Sequence, residues 1–186
     1  MSQNSSAKTD CEFTTERLLV ESCEHYAAKM SDETAFAERI VSIVSPEVTK
    51  ALPLGWQEVD TVQKARDWIR ARNEDSEVLA IQYGPQSLLV GFLFLNGEYL
   101  SGSNLIDIRL GYLLAEETWG KGVGSELIKG LVDWCANAGN VSSISGGVES
   151  SNIASMRVLE KNGFTIMTTA ELPDGMIFME RRFRAD

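Results

Sequence analysis

The stretch Thr118-Trp119-Gly120-Lys121-Gly122-Val123-Gly124-Ser125 constrains the fold more than any other part of the chain. It lies between an apolar segment, residues 105–114, that reads as a strand, and residues 125–138, which read as an amphipathic helix. Glycine at alternate positions removes side chains where the backbone must turn sharply. In the following segment Leu127, Ile128, Leu131, Val132, Trp134 and Cys135 are spaced for one helical face. A glycine-rich loop entering a helix presents backbone N–H groups without intrahelical acceptors, at the positive end of the helix dipole. Such a loop is an anion site, most often for phosphate.

Spacing excludes two phosphate loops. A Walker A loop needs four residues between its glycine and Gly-Lys-Ser/Thr, but Gly120-Lys121 is followed by Gly122. A dinucleotide fingerprint needs Gly-x-Gly-x-x-Gly. Its last place is Ser125 when counted from Gly120 and Leu127 when counted from Gly122. The loop does fit Gln/Arg-x-x-Gly-x-Gly/Ala, with Gly122 and Gly124 in the glycine places, and so resembles the pyrophosphate loop of the GNAT acetyltransferases. Trp119 stands where that superfamily usually has Gln or Arg.

A second block strengthens the resemblance. Asn152-Ile153-Ala154-Ser155-Met156-Arg157-Val158-Leu159-Glu160-Lys161-Asn162-Gly163-Phe164 is similar to the Asn-x-x-Ser-x-Arg-Val-Leu-Glu-Lys-x-Gly-Phe signature of GNAT enzymes of the ribosomal-protein N-terminal (alanine/serine) acetyltransferase type. Thr15-Glu16-Arg17-Leu18, Gly111-Tyr112 and Trp119-Gly120-Lys121-Gly122 look like the same branch. The resemblance runs from about residue 14 to residue 183.

A chain of 186 residues with 44% apolar and 24% charged side chains is expected to bury one globular core. The reading is a single domain over residues 14–186, preceded by a disordered tail over residues 1–13. Apolar runs are too short for a transmembrane helix, and the polar N-terminus lacks a signal-peptide core. Cys11, Cys23 and Cys135 have neither disulfide-framework nor metal-site spacing, so no metal is expected and a cytoplasmic location is. The net charge of −10 disfavours nucleic acid and favours a cationic partner such as an amine or a basic peptide.

Along the chain, residues 17–22 read as a strand and residues 24–44 as helix broken near Ser31-Asp32. Ser45-Pro46 opens a short helix. Asp60-Thr61-Val62-Gln63 reads as a capping box for a helix reaching about residue 73. Residues 77–83 and 88–95 are strands around Gly84-Pro85, and Asn96-Gly97 begins a loop. Residues 143–149 are a strand, and residues 152–162 a helix closed by Gly163. Strands over residues 165–171 and 176–183 flank a turn at Pro173-Asp174-Gly175. The strand–helix–strand unit over residues 105–149 needs a crossover, so its two strands should be parallel. The fold class is therefore α/β with a mixed sheet. The resemblance implies the GNAT fold: a mostly antiparallel central sheet with one splayed parallel pair, helices on both faces, and acetyl-CoA entering the gap of the pair.

The resemblance also implies roles. Backbone N–H groups of Trp119, Gly120, Lys121, Gly122, Val123, Gly124 and Ser125 would hold the CoA pyrophosphate. Lys121 reads equally as a solvated lysine, and the Trp119 indole is expected to pack beneath the loop. Main-chain groups of Leu114 would bind the cofactor arm and the thioester. Asn152 is either a helix cap or a contact to the pantetheine arm. The place of the family's tyrosine acid, seven residues on, is Leu159. Ser155 would steady the departing thiolate by a hydrogen bond. Where the branch often carries a glutamate base, this chain has Arg109, which leaves Asp107 and Glu149 as candidate bases, either of which also reads as a surface carboxylate. His25 lies far in sequence from both motifs.

The leading expectation is an acetyl-CoA-dependent N-acetyltransferase acting by direct attack of an amine on the thioester, with a protein or peptide α-amine as acceptor. The alternatives are a non-catalytic CoA-binding module and a GNAT enzyme for a small amine such as a polyamine or amino sugar. The acceptor pocket is expected to involve the first helices, including Trp56 and Trp68, and the C-terminal hairpin. The oligomeric state, monomer or homodimer, stays open.

Overall fold

The structure is a computed structural model and describes residues 6–30, 32–50, 52–168 and 175–183. In chain order the elements are β1 (Ser6–Ala7), β2 (Phe13–Thr14), β3 (Leu18–Ser22), α1 (Cys23–Lys29), α2 (Glu33–Ile43), α3 (Pro46–Thr49), a 3-10 turn (Leu54–Trp56) and α4 (Val62–Asp75). Then follow β4 (Glu77–Tyr83), β5 (Leu88–Tyr99), β6 (Ile106–Leu114), a second 3-10 turn (Glu116–Thr118), α5 (Val123–Ala138), β7 (Val141–Glu149), α6 (Ile153–Lys161), β8 (Thr165–Ile166) and β9 (Met176–Arg182). The chain forms two compact units. One holds the described residues of 10–94 and 112–123; the other holds the described residues of 1–9, 95–111 and 124–186.

In the first unit β2, β3, β4, β5 and the end of β6 lie side by side in that order. β3 runs antiparallel to β4, with Leu18 opposite Tyr83 and Ser22 opposite Leu79. Ser22 caps α1 by accepting from the His25 N–H, and Asp32 caps α2 by accepting from Thr34. The break expected at Ser31-Asp32 is thus a helix start, with Ser31 itself outside the described residues. The core packs Ile40, Ile43, Ala65 and Leu89 with an aromatic group, in which Trp68 meets Phe92 at 5.6 Å and Trp56 meets Phe94 at 4.8 Å between ring centroids.

In the second unit the order is β5, β6, β7, β9, β8, with β1 on β5. β6 and β7 are parallel, as the crossover requires, and registered pairing ends at Arg109 opposite Ser145. β7 and β9 are antiparallel from Ser143–Arg182 to Glu149–Met176. The α5 residues Leu127, Ile128, Leu131 and Cys135 are fully buried, as their helical spacing requires, while Trp134 is half-buried.

Several expectations are corrected. Within the tail expected over residues 1–13, Ser6 and Ala7 pair with Glu98 and Gly97, Phe13 pairs with Val20, and Cys11 is buried; residues 1–5 lie outside the described residues. Asn96-Gly97 does not begin the loop, because β5 runs through it to Tyr99. Gly97 serves a close strand approach instead: a Cβ there would stand 2.6 Å from the Ala7 carbonyl oxygen. The cap of α4 is Thr61, which accepts from the Lys64 N–H, one residue later than the box expected from Asp60. Helix α5 starts at Val123, inside the glycine loop, not at Ser125. β8 covers only Thr165–Ile166; residues 169–171 and the expected turn residues Pro173 and Asp174 lie outside the described residues.

Candidate functional site

The glycine loop is built from both of its ends. β6 stops at Leu114, and the Ala115 N–H donates to the Val90 carbonyl at 2.8 Å. The 3-10 turn that follows is fixed by its own bonds, Thr118 Oγ1 to the Ala115 carbonyl at 2.7 Å among them. Arg39 reinforces it, donating to the Leu89 carbonyl at 2.7 Å and to Glu117 at 2.5 Å, while the Ser45 hydroxyl donates to Glu116. Gly120 and Gly122 then take φ of 71° and 77°. Both values lie in the left-handed region, which explains the alternation of glycine at these places.

The structure narrows the set of anion donors. The Trp119 N–H is spent on Glu116 and the Lys121 N–H on Thr118. Helix geometry leaves the amides at the start of α5, from about Gly122 to Ser125, without intrahelical acceptors. These groups and Gly120 fit a pyrophosphate: they are amide donors on a turn without bulk, at the positive end of a helix spanning Val123–Ala138. The Trp119 indole does not pack beneath the loop. It is 47% exposed, and its Nε1 donates to the Leu114 carbonyl at 2.9 Å. Lys121 is exposed, but its carbonyl is held by Arg17 Nη1 at 3.1 Å.

In the second unit, Asn152 caps α6: its Oδ1 accepts from the Ser155 N–H at 3.0 Å. Asn152 is exposed and Ser155 half-buried. The Asn152 N–H in turn donates to the Glu149 carbonyl at 2.8 Å, so Glu149, Asn152 and Ser155 form one continuous corner between β7 and α6. At the far end of α6, Asn162 Nδ2 reaches the Ser125 carbonyl at 3.3 Å, tying this helix to the start of α5. Leu159, in the place of the family's tyrosine, is buried.

Asp107 is not part of this corner. It accepts from the Ser143 hydroxyl at 2.8 Å across the paired part of β6 and β7. His25 donates its backbone N–H to Ser22, and its ring meets Glu12 at 2.9 Å. Trp68 is 5% exposed, so it belongs to the aromatic core more than to an open acceptor wall. Arg17 carried no role in the sequence beyond its motif; only its contact with Lys121 gives it one.

The sequence matches the family described as Acetyltransferase (GNAT) domain over residues 29–165. This chain belongs to the GNAT acetyltransferase family. As a GNAT acetyltransferase it is an enzyme that uses acetyl-CoA as the acetyl donor, and the matched segment runs through parts of both units. The search of curated proteins gives no match. Among solved structures, a GNAT-family acetyltransferase from Bacillus anthracis is similar with TM-score 0.68 and 17% identity, over 93% of this chain and 99% of that one. A ribosomal L7/L12 α-N-protein acetyltransferase in complex with coenzyme A aligns with TM-score 0.65 and 19% identity, over 92% of this chain and 97% of that one. A ribosomal-protein-alanine N-acetyltransferase from Brucella melitensis aligns with TM-score 0.57 and 20% identity, over 88% and 99%. At these identities the likeness is one of fold, and it agrees with the mixed sheet and its parallel β6–β7 pair. Among the described residues, no helix is long and apolar enough to cross a membrane.

Proposed function

We propose that this enzyme acetylates primary amines, with the α-amine of a polypeptide as its preferred acceptor. The observation that carries the reading is the loop itself: Gly120 and Gly122 with positive φ, leading into the bare first turn of α5. It supports binding of the CoA pyrophosphate by the amides of Gly120 and Gly122 to Ser125, with the Leu114 main chain serving the pantetheine arm. In this reading the neutral acceptor amine attacks the thioester carbonyl. The C–S bond breaks as the new C–N bond is complete, and the sulfur leaves as a thiolate that the Ser155 hydroxyl steadies by a hydrogen bond. The proton lost by the amine passes through water towards Glu149, the last residue of β7, whose main-chain carbonyl accepts from the Asn152 N–H.

Acceptor choice follows from acid–base chemistry. An α-amine has a pKa of about 7.7–8.0, so roughly a tenth is neutral at pH 7. A lysine amine, at about 10.4, is neutral at only a few parts in ten thousand. Asp107 is tied to Ser143, and Glu149 closes a strand, so the site offers a relay more than a strong base. Such a site suits the first amine better. The similar folds include enzymes named for ribosomal-protein α-N acetylation, which supports the same acceptor class. The net charge of −10 favours a basic N-terminal segment.

The test offers acetyl-CoA with three acceptors: a lysine-free peptide with a free N-terminus, an N-blocked peptide with one lysine, and spermidine. Turnover of the first peptide is expected to exceed the others by at least tenfold. Turnover confined to the blocked peptide or to spermidine would overturn the α-amine reading.

A further inference from the structure

Arg17 stands one residue before β3, and its main chain is fixed. Its carbonyl accepts from the Gly84 N–H at 2.9 Å, and Leu18 is registered opposite Tyr83. The guanidinium carbon lies 5.7 Å from the Tyr83 ring centroid, a cation–π arrangement. From there the side chain reaches the glycine loop, where Nη1 donates to the Lys121 carbonyl at 3.1 Å. Nη2 lies 3.7 Å from the place a Cβ would take on Gly122. A delocalised positive charge is therefore seated on the carbonyl side of the Lys121–Gly122 peptide, at the turn that leads into α5. The superfamily's usual Gln or Arg in the loop is replaced by Trp119, whose indole N–H is turned to Leu114. The loop's own sequence thus lacks an arginine where a polyanion must be held by a protein of net charge −10.

We infer that Arg17 is the loop's cation in trans: it fixes the Lys121 peptide and sets its charge beside the pyrophosphate of acetyl-CoA. This rests on the assignment of the loop to the pyrophosphate. Arg17 is a positioning residue with an electrostatic effect on cofactor binding, and it takes no part in the acetyl transfer. A guanidinium suits the task better than an ammonium, because its planar fork grips the Lys121 carbonyl while its plane packs on the Tyr83 ring and carries the charge.

The experiment measures the Kd of CoA and of dephospho-CoA by titration calorimetry at low and high salt, for the wild type, Arg17→Gln and Arg17→Lys, with thermal melts of each. Arg17→Gln is expected to weaken both ligands about tenfold, the scale of one charge-assisted hydrogen bond, and to flatten the salt dependence. Unchanged affinity in folded Arg17→Gln overturns the proposal. So does a loss seen with CoA but not with dephospho-CoA, which would place the charge at the 3′-phosphate. A loss with the wild-type salt dependence reduces Arg17 to a strut and overturns its electrostatic part. Where Arg17→Gln does not fold, Arg17→Lys decides. A point charge cannot serve both partners, so affinity falls severalfold, and wild-type affinity overturns the proposal. Gly124→Glu separates the underlying reading: if that variant keeps its CoA affinity, the loop assignment fails whatever Arg17 does. If it loses affinity while Arg17→Gln keeps it, only the Arg17 proposal fails.

Discussion

The indole N–H of Trp119 donates to the carbonyl of Leu114 at 2.9 Å, closing the end of β6 onto the first residue of the glycine loop. The bond spans the 3-10 turn Glu116–Thr118 and fixes where the loop begins relative to the strand end. It also takes one lone pair of a carbonyl at the position where the family resemblance places the cofactor arm, and so sets the plane of that peptide. Trp119→Phe keeps most of the ring and removes the donor. We expect acetyl-CoA affinity to fall by about two- to tenfold, the range of one neutral hydrogen bond, with kcat at saturating acetyl-CoA little changed. Calorimetry and steady-state kinetics on the same preparation check both halves. Wild-type affinity would show that the bond does not organise the loop.

Gly124 occupies the first turn of α5. An acidic residue there is favourable to the helix itself, because the dipole stabilises negative charge at an N-terminus. Gly124→Glu should therefore melt at or above the wild-type temperature while losing acetyl-CoA binding, because its carboxylate occupies the place of the phosphates. The opposed signs of the two effects make the variant diagnostic. A protein that both melts normally and binds acetyl-CoA normally would exclude the loop as the pyrophosphate site.

Glu21 is buried on β3 and accepts from Gln82 at 2.8 Å and Lys29 at 2.5 Å. Burial alone pushes its carboxyl up, but the hydrogen bonds from Lys29 and Gln82 and the charges of Lys29 and His25 outweigh it and hold the pKa below the ordinary 4.5. A depressed folded-state pKa contributes stability that is present above the unfolded value and is lost as pH falls through the folded one. Glu21→Gln should thus melt below the wild type at pH 6–7, and the gap should close as pH is lowered below about 4.5. Melting curves across that range decide it: a gap that stays constant with pH would mean that the ionised carboxylate contributes nothing.

What the chain betrays of itself follows from how local each signal is. The β6–loop–α5–β7 unit was legible because its period changes from strand to helix and its glycines sit at places that require positive φ, Gly120 and Gly122. Asn96-Gly97 reads as the start of a loop because both residue types favour turns and irregular backbone. Here Gly97 instead makes room for the Ala7 carbonyl, a contact with a distant part of the chain. The N-terminal strands were missed for the same reason: Ser6 and Phe13 carry no local strand pattern and are ordered by their partners Glu98 and Val20. At the start of α6 the motif leaves Asn152 open as a cap or a cofactor contact, and the structure shows the capping bond. Arg17 stands in the Thr15–Leu18 motif, yet its contact with the Lys121 carbonyl is one that no side-chain pattern can announce.

Ser155 and Asn152 separate structure from catalysis within one turn of α6. The capping bond uses the Ser155 backbone N–H and the Asn152 Oδ1, so the Ser155 hydroxyl is not needed for it. Ser155→Ala keeps the cap and removes only the hydroxyl, and alanine at this helical position is favourable in itself. If the hydroxyl stabilises the departing sulfur, kcat should fall by roughly ten- to a hundredfold, as for one transition-state hydrogen bond, while acetyl-CoA affinity stays near the wild type. Asn152→Ala behaves differently. It removes the cap, costs about 1 kcal/mol of stability and shows chiefly as a lower melting temperature. Steady-state kinetics with the lysine-free peptide, together with melts of both variants, distinguish the two residues. Wild-type turnover in Ser155→Ala would remove the hydroxyl from the mechanism and leave protonation of the thiolate to water.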